Sequence, residues 1–373
     1  MRSGPLVSII LPVFNAGEYL RPAVNSVSRQ TYDNLEILAI DDGSTDGSGA
    51  VLADLARRDS RIHVTSQENR GLIATLNAAL DRAQGSLIAR MDADDICLPT
   101  RIAEQVESFE KNPNLALCGT THHLLFRPGW LLNPGFQDLD TTDAQTAVRC
   151  LFQPPFVHPS AMFRGDLMKG PDALRYDHEY PHAEDFDLFR RISQNHRIKI
   201  LPRKLIAIRR HHESVMTRHR MTVRHTHYRI LAENFRRLGL PLDLWPLVDL
   251  CQPDHIVSES ELAAAGRALT DLSAARSAFE PALWPGWDAS FSYVATHVIE
   301  TADMTSGPGG VRLLLEAFPE GWSLVRRRDR AIIRAGAWLP ARSWQGLKAV
   351  ESRIGTRSAA RVEEFIPNYT DIR

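Results

Sequence analysis

The chain has 373 residues, of which 43% are hydrophobic and 24% are charged, and its formal net charge is −1 at pH 7. This length exceeds one ordinary hydrophobic core, so two domains are expected. The balanced charge predicts no nucleic-acid partner, and no apolar run approaches the ~18 residues that span a bilayer. The four cysteines are scattered without metal-ligand spacing, which indicates buried thiols in a reducing compartment and a cytoplasmic protein.

Apolar or β-branched runs predict four strands in the first 95 residues, at 7–14, 35–42, 61–67 and 86–95. Stretches with helical spacing lie between them, at 18–30, 46–58 and 72–83. Because strands and helices alternate and the strands are continuously apolar, a mostly parallel sheet between helices is expected. Later runs predict two helices and three strands, at 99–113, 183–195, 115–126, 157–164 and 199–212.

Polar residues collect at the carboxyl ends of the predicted strands, where parallel sheets bind their ligands. These residues are Asn15 after the first strand, Asp41 and Asp42 at the end of the second, and Asp92, Asp94 and Asp95 at the end of the fourth. Crowded carboxylates repel each other unless they are protonated or share a cation, so the last group is either a solvated turn or a cation site. Carboxylate oxygens suit Mg²⁺ or Mn²⁺, which share their coordination shell with substrate phosphates.

Three common ligand-binding motifs do not fit these residues. A dinucleotide-binding loop is excluded because the first strand is followed by a lone Gly17 and no GxGxxG. A calcium-binding EF-hand over residues 92–103 would place Cys97 where Gly is required and Ala103 where Glu is required. A phosphatase would carry its Asp-x-Asp pair after the first strand, whereas this pair follows the fourth.

The residue pattern of the chain changes after about residue 225, from alternating strand and helix signals to helix signals alone. Segments 223–238, 259–279 and 322–364 carry Leu, Ala and Arg at helical spacing. We therefore predict an α/β domain at residues 1–222 and a mostly helical domain of unknown role at 223–373.

The stretch 326–361 is strongly basic and contains two tryptophans. Two interpretations stay open for it. It could form a peripheral contact with an anionic membrane surface, at the inner face of the membrane, where a lipid-linked acceptor would lie. Alternatively, it is a solvated helix pair that packs its tryptophans inward.

Seven segments resemble, in order, those of the family 2 glycosyltransferases of the GT-A fold, and the resemblance spans about residues 6–216. The segments are SIILPVFNAGEYL, LEILAIDDGSTDGS, ENRGLIATLNAAL, LIARMDADDICLPTRIAEQV, HPSAMFR, AEDFDLF and IRRHHES. The resemblance implies a nucleotide-diphospho-sugar transferase fold and an inverting sugar transfer. The donor would be a nucleoside-diphosphate sugar, with UDP commoner than GDP, and the acceptor a hydroxyl of a glycan or lipid-linked molecule, in cell-surface polysaccharide or glycan synthesis. A divalent Mn²⁺ or Mg²⁺ would assist.

Two alternatives remain beside this interpretation. A sugar nucleotidyltransferase would use the same fold, but the Gly-rich signature and lysine of that class are missing near the first strand. A non-catalytic nucleotide-sugar-binding protein would keep the fold and lack turnover.

The resemblance assigns the nucleotide to the first two strand ends. Pro12, Phe14 and Asn15 match the loop that holds the base, although plain core packing is the alternative for Phe14. Asp41 matches the aspartate that accepts a hydrogen bond from the base, and the adjacent Asp42 is expected to be structural.

For the donor and the metal, the resemblance places Asp92 near the ribose or donor sugar and Asp94 as the direct metal ligand. Asp95 would orient the donor sugar or cap the next helix. His211 falls where some relatives use a histidine near the metal, with His212 as the alternative register.

The catalytic base of inverting members corresponds to Asp185. Its neighbours Glu184 and Asp187 are expected to be charges at a helix N-terminus. Arg209 is either a phosphate contact or a solvated charge.

The chain departs from the family at Leu76, because many relatives carry an arginine shortly before the position of Asn77. A phosphate or donor contact is then lost, or Arg70 or Arg90 replaces it. Arg90 precedes the acidic cluster as in a subset of the family, so we predict a donor-site role for it.

Overall fold

The computed structural model describes residues 4–127, 130–132, 142–209, 219–252, 257–324 and 359–361. Ten strands of these residues form one mixed sheet. They are β1 Val7–Val13, β2 Leu35–Asp41, β3 Ile62–Ser66, β4 Leu87–Arg90, β5 Ile96–Cys97, β6 Leu115–Arg127, β7 Trp130–Leu132, β8 Met162–Arg164, β9 Arg197–Arg209 and β10 Ala359–Arg361.

Ten α-helices accompany the sheet in the described part of the chain. They are α1 Leu20–Ser28, α2 Ser48–Arg58, α3 Leu72–Arg82, α4 Arg101–Lys111, α5 Asp143–Phe152, α6 Glu184–Asn195, α7 Arg220–Arg237, α8 Trp245–Asp249, α9 Glu259–Ala274 and α10 Trp284–Ala317. Short 3-10 turns cover 17–19, 158–160, 165–168, 275–278, 281–283 and 319–323. Among the described residues, no helix has the length and hydropathy that a membrane crossing requires.

The strand order of the sheet is β10-β7-β6-β8-β4-β1-β2-β3. Outside this order, β9 pairs with β6 and with β5. Strands β1, β2, β3 and β4 pair in parallel, as predicted. Strand β8 then pairs antiparallel with both β4 and β6, so the mostly parallel sheet becomes mixed at that side. The carboxyl ends of the parallel strands therefore form one edge.

The two faces of the sheet explain why its first strands are continuously apolar. Successive strand residues point to opposite faces. Accordingly, Ile9 packs into one core cluster and Ile10 into another, and Ile37 and Leu38 of β2 divide in the same way. All four cysteines are buried and unpaired, which confirms the prediction of buried thiols.

Two of the differences from the predicted boundaries concern the residues near the site. Strand β4 ends at Arg90, so the acidic residues lie in the loop that follows and not in the strand. The predicted strand at 157–164 is a 3-10 turn at His158–Ser160 followed by the short β8. Pro159 explains the second difference, because proline has no N–H to donate to a strand ladder.

The helical part contains its own hydrophobic core, and helix α5 contributes Val148 and Phe152 to it. The domain boundary at 222/223 stays a prediction. Helix α10 was not predicted, because Pro and Gly interrupt its pattern, and its backbone is non-helical at Gly307, before Pro308. The predicted helical segment 322–364 lies mostly outside the described residues, and its end forms β10 instead of a helix.

Trp287 is the largest fully buried side chain of the described residues, and it holds the helical core together. Its ring lies 4.9 Å from that of Phe152 and 5.7 Å from that of Phe235, in edge-on geometry. We expect Trp287→Ala to lower the free energy of unfolding by about 3–5 kcal/mol, because it leaves a large cavity. Urea unfolding followed by circular dichroism measures this, with the 45% exposed Trp245 as the control. A loss no larger than that of Trp245→Ala would contradict the packing role.

Candidate active site

The loops after β1 and β2 are fastened to each other at the edge of the sheet. Asn15 adopts the left-handed conformation with φ 48°. Its N–H donates to Ser44 Oγ at 2.9 Å, and its Oδ1 accepts from the N–H of Thr45 at 2.8 Å. The neighbouring Phe14 is 53% exposed, so core packing is excluded for it. Pro12 lies in β1 beside them. A fixed turn therefore presents an exposed aromatic ring at this edge.

The two aspartates at the end of β2 have different environments. Asp42 is buried and accepts hydrogen bonds from the N–H groups of Arg70 and Gly71, both at 2.9 Å, and from Gln67 Nε2 at 2.8 Å. These bonds hold the next loop in place. Asp41 is also buried and accepts from the N–H of Ser44 at 3.0 Å. Asp41 therefore holds Ser44, the residue whose hydroxyl accepts the hydrogen bond from Asn15.

Three carboxylates meet in the loop after β4. One oxygen from each of Asp92, Asp94 and Asp95 lies within 4.8 Å of the others. Asp95 is 2% exposed, and its pKa is raised well above its usual value by burial and by the charges of Asp94 and Asp92. The N–H of Arg209 donates to Asp95 Oδ1 at 2.8 Å, and Arg209 Nε donates to the carbonyl of Asp94 at 2.8 Å. Arg209 therefore braces the acidic loop and is not a solvated charge.

Arg90 is the cation at the centre of the acidic residues. It is 3% exposed, and its Nη1 donates to Asp92 Oδ2 at 2.5 Å. Its charge opposes the rise in pKa that burial causes in Asp92, Asp95 and Asp185. Within the described residues its buried Nε has no hydrogen-bond acceptor. The guanidinium of Arg90 is therefore buried and held against Asp92.

A second buried arginine supports the strand that leads into the acidic loop. Arg101 is 0% exposed, and its Nη2 donates to the carbonyls of Arg90 at 2.9 Å and Ala161 at 3.2 Å. Its Nε donates to Gln105 Oε1 at 3.0 Å. Burial lowers the pKa of Arg101. These bonds tie β4 to the turn before β8, a role that the sequence did not indicate.

Asp185 lies in the first turn of α6. Burial raises its pKa to about 6, while its hydrogen bond from the N–H of Phe186 at 2.8 Å and the charge of Arg90 oppose the rise. The negative charge of Asp92 also raises the pKa of Asp185, so the acidic loop is close enough to Asp185 to interact with it electrostatically. A carboxylate with this pKa is ionised near neutral pH and is able to accept a proton.

The neighbours of Asp185 in the helix have distinct partners. Asp187 forms ion pairs with Arg190 at 2.8 Å and with Arg191 at 2.7 Å, so it stabilises the start of α6 as expected. Glu184 is buried, and its pKa is raised to about 7 by burial and by the charge of Asp185. Glu184 is the first residue of α6, as expected, although its side chain is buried and not solvated.

A buried histidine lies close to the carboxylate of Glu184. His158 Nε2 is 2.8 Å from the hydroxyl of Tyr176, and its Nδ1 is 3.8 Å from Glu184 Oε1. Burial and the charge of Arg90 lower the pKa of His158 well below its usual value, so the imidazole is neutral. The segment HPSAMFR contains this residue, which was the one available signal for it. The side chains of His158 and Tyr176 were not predicted as site residues.

Other predicted residues fall elsewhere. Leu76 is fully buried and packs in the core, whereas Arg70 is exposed and meets the site through its main chain. Asn77 exchanges two hydrogen bonds with the main chain of Tyr176. The predicted metal contact His211 and its alternative His212 lie outside the described residues.

The acidic loop fits a divalent cation by its chemistry. Three carboxylates contribute oxygen atoms from one short turn, and the side chain of Asp92 is 32% exposed, which leaves an approach from solvent. Oxygen ligands of this kind suit Mg²⁺ and Mn²⁺. The side chains that would hold the ion are those of Asp92, Asp94 and Asp95.

Comparison with known proteins agrees with this geometry. The sequence profile described as Glycosyl transferase family 2 matches residues 8–164. An uncharacterized glycosyltransferase of Haemophilus influenzae is 28% identical over 272 residues, which are 69% of this chain and 82% of that protein. The chondroitin synthase of Escherichia coli is 26% identical over 245 residues, but the match spans 63% of this chain and 33% of that protein.

The fold is shared with a solved structure, S. aureus TarS 1–349 in complex with UDP-GlcNAc. The TM-score is 0.52 at 15% sequence identity, and the match covers 90% of this chain and 93% of that one. The fold is that of the GT-A glycosyltransferases, with a mostly helical C-terminal region. Residues 8–164 therefore match glycosyl transferase family 2, and the comparisons support a glycosyltransferase.

Proposed function

We propose that the protein transfers a sugar from a nucleoside-diphosphate donor, UDP-linked, to a hydroxyl of a glycan acceptor, with inversion at the anomeric carbon. The observation that carries the proposal is the clustering of Asp92, Arg90 and Asp185 at the carboxyl edge of the parallel strands. Ligands of open α/β sheets bind at this edge. The relative named chondroitin synthase supports a role in polysaccharide synthesis.

The nucleotide would bind over the ends of β1 and β2. The exposed ring of Phe14 offers a stacking surface for a base, and the adjacent Asn15 turn is held rigid by its two hydrogen bonds. Asp41 offers carboxylate oxygens for the N–H groups of the base. A rigid site loses little conformational entropy when the nucleotide binds.

The diphosphate and the donor sugar would lie over the acidic loop. Asp94 would hold Mn²⁺ or Mg²⁺ together with Asp92 and Asp95, and Asp95 would also help to orient the donor sugar. Bound there, a divalent cation supplies Lewis-acid stabilisation to the charge of the leaving diphosphate. Arg90 is buried, so its contribution to the donor site would be indirect, through the position and charge of Asp92. His211 remains a proposed contact near the cation.

Asp185 would act as the general base. The acceptor oxygen attacks the anomeric carbon while its proton passes to the carboxylate of Asp185, and the bond to the diphosphate oxygen breaks. One displacement of this kind inverts the anomeric configuration. Because burial raises the pKa of Asp185 to about 6, the carboxylate is ionised at neutral pH and basic enough to accept the proton.

Calorimetric titration of UDP and of GDP, each with and without Mn²⁺, tests the donor site. We expect UDP to bind, and to bind about 5–150-fold more tightly with Mn²⁺, since the cation and the diphosphate share charges at one site. GDP serves as the matched control for the base. The proposal would be overturned if the folded protein bound neither nucleotide, or bound UDP equally well without the cation.

A further inference from the structure

The side chain of Arg209, the last residue of β9, lies between two loops at the carboxyl edge of the sheet. Its Nε donates a hydrogen bond to the main-chain carbonyl of Asp94 at 2.8 Å, in the acidic loop. The same guanidinium lies over the ring of Tyr19, with its Cζ 4.5 Å from the ring centre. This distance is within the range of a cation–π contact, which extends to about 6 Å. One side chain therefore contacts both the acidic loop and the turn that follows β1.

The turn that carries Tyr19 is bonded in its own right to the loop after β2. The N–H of Ala16 donates to Ser48 Oγ at 3.2 Å, and the N–H of Gly17 donates to Asp46 Oδ2 at 2.7 Å. Tyr19 closes the same turn, because its N–H donates to the carbonyl of Ala16 at 3.1 Å. The position of the Tyr19 ring is therefore linked to both loops over which the nucleotide base is proposed to bind.

Support of β9 does not account for this side chain. The main chain of β9 is already held on two sides, since Arg209 itself pairs with Leu125 of β6. Two residues earlier, Ala207 pairs with Ile96 of β5. The bond to Asp95 Oδ1 comes from the main-chain N–H of Arg209, so it does not depend on the guanidinium. The two side-chain contacts are better explained by a ligand that spans the loops they join.

The spacing of these loops matters for the proposed donor. The base of a nucleoside diphosphate would bind beside the turn after β1, and its diphosphate would bind over the acidic loop. Because the two groups belong to one molecule, both contacts form together only when the loops are correctly spaced. A misplacement of about 1 Å in an active site can cost as much as about 10²-fold in rate. A side chain that fixes the spacing should therefore matter most for the ligand that reaches both loops.

We propose that Arg209 is a positioning residue that couples the cation site to the nucleotide site. Through Asp94 and Tyr19 it holds the acidic loop at a fixed distance from the turn after β1. This role requires no contact between Arg209 and the donor. The inference rests on the proposed function, because it requires UDP and a divalent cation to bind at these two loops.

Calorimetry on the full chain tests the coupling, with Mn²⁺ alone, UDP alone and UDP with Mn²⁺ as the probes. The measured quantity is the factor by which Mn²⁺ tightens UDP binding. Tyr19→Leu removes the aromatic ring and should lower this factor by about 2–10-fold, which matches the strength of a cation–π contact. Arg209→Gln should lower it at least as much, because it removes the cation. Mn²⁺ alone and UDP alone should bind both variants as they bind the wild type.

A double variant distinguishes positioning from two independent effects. If the two side chains act as one link, Tyr19→Leu combined with Arg209→Gln should lower the factor no further than Arg209→Gln alone. The matched control is Arg276→Gln in the helical part, where the guanidinium lies 4.0 Å from the ring centre of Trp284. That variant should keep the wild-type factor. Circular dichroism checks that each variant is folded, and if Arg209→Gln is not, Tyr19→Leu decides by itself.

The outcomes separate this inference from the proposed function. If Mn²⁺ tightens UDP binding equally in the wild type and in Tyr19→Leu, the coupling role is wrong and the donor site stands. The role is equally wrong if the losses of the single variants add in the double variant, or if they appear already with Mn²⁺ alone or UDP alone. If Mn²⁺ has no effect on UDP binding even in the wild type, the proposed function itself fails.

Discussion

Asp185→Asn should lower kcat for sugar transfer by about 10²–10⁴, the contribution typical of a general base. The amide keeps the size of the carboxylate but does not accept the proton of the acceptor hydroxyl. UDP binding should stay within about twofold of wild type, because Asp185 lies on α6 and the nucleotide is proposed to lie at the ends of β1 and β2. Steady-state kinetics together with calorimetry measures both quantities.

The pH profile provides an independent readout of the same residue. Since burial raises the pKa of Asp185 to about 6, the wild-type rate should rise with pH through about 6 and level off above it. Protonation below that pH removes the base. Asp185→Asn should lose this acidic limb. Asp172→Asn, a change at an exposed position, is the control. A variant at Asp185 that kept more than a tenth of wild-type kcat would disprove the assigned role.

Asp94→Ala should abolish the effect of Mn²⁺ on UDP binding. Disturbing even the outer shell of a metal site typically costs 10–100-fold in metal affinity, so loss of a direct ligand should cost at least about that much. Its carboxylate is one of three that meet in the loop after β4, and Asp92 is already paired with Arg90. Calorimetry of UDP with and without Mn²⁺ measures the loss without relying on turnover.

The matched control for Asp94 is Asp172→Ala, which removes an exposed carboxylate far along the chain from the acidic loop. It should keep the full effect of Mn²⁺. Circular dichroism should show that both variants are folded. Mn²⁺-dependent UDP binding that survives in Asp94→Ala would show that the cation, if it binds, uses other ligands.

Much of the α/β part could be predicted from local patterns. A parallel strand buried on both faces must be continuously apolar, and β1 and β2 are, with Ile9 and Ile10 packing into opposite cores. The acidic cluster could also be recognised from the sequence, because crowded carboxylates repel each other unless they are protonated or share a cation. Helix α10 was missed because Pro308 and its glycines look like loop signals, although the helix resumes after a break at Gly307.

The sequence by itself determined the alternation of strands and helices, the sheet edge where the ligand-binding residues collect, and the identity of Asp94 and Asp185 as candidates. The alternation and the sheet edge follow from periodicity and from neighbours in the chain, whereas Asp94 and Asp185 were assigned through the resemblance to the family 2 glycosyltransferases. Only the tertiary structure decided which distant side chains share one electrostatic environment. Asn77 contacts Tyr176 across 99 residues, and the charge of Arg90 in β4 opposes the rise in the pKa of Asp185 in α6. Burial sets the pKa values and leaves buried groups unpaired, and burial is a property of the packed chain, not of any local segment.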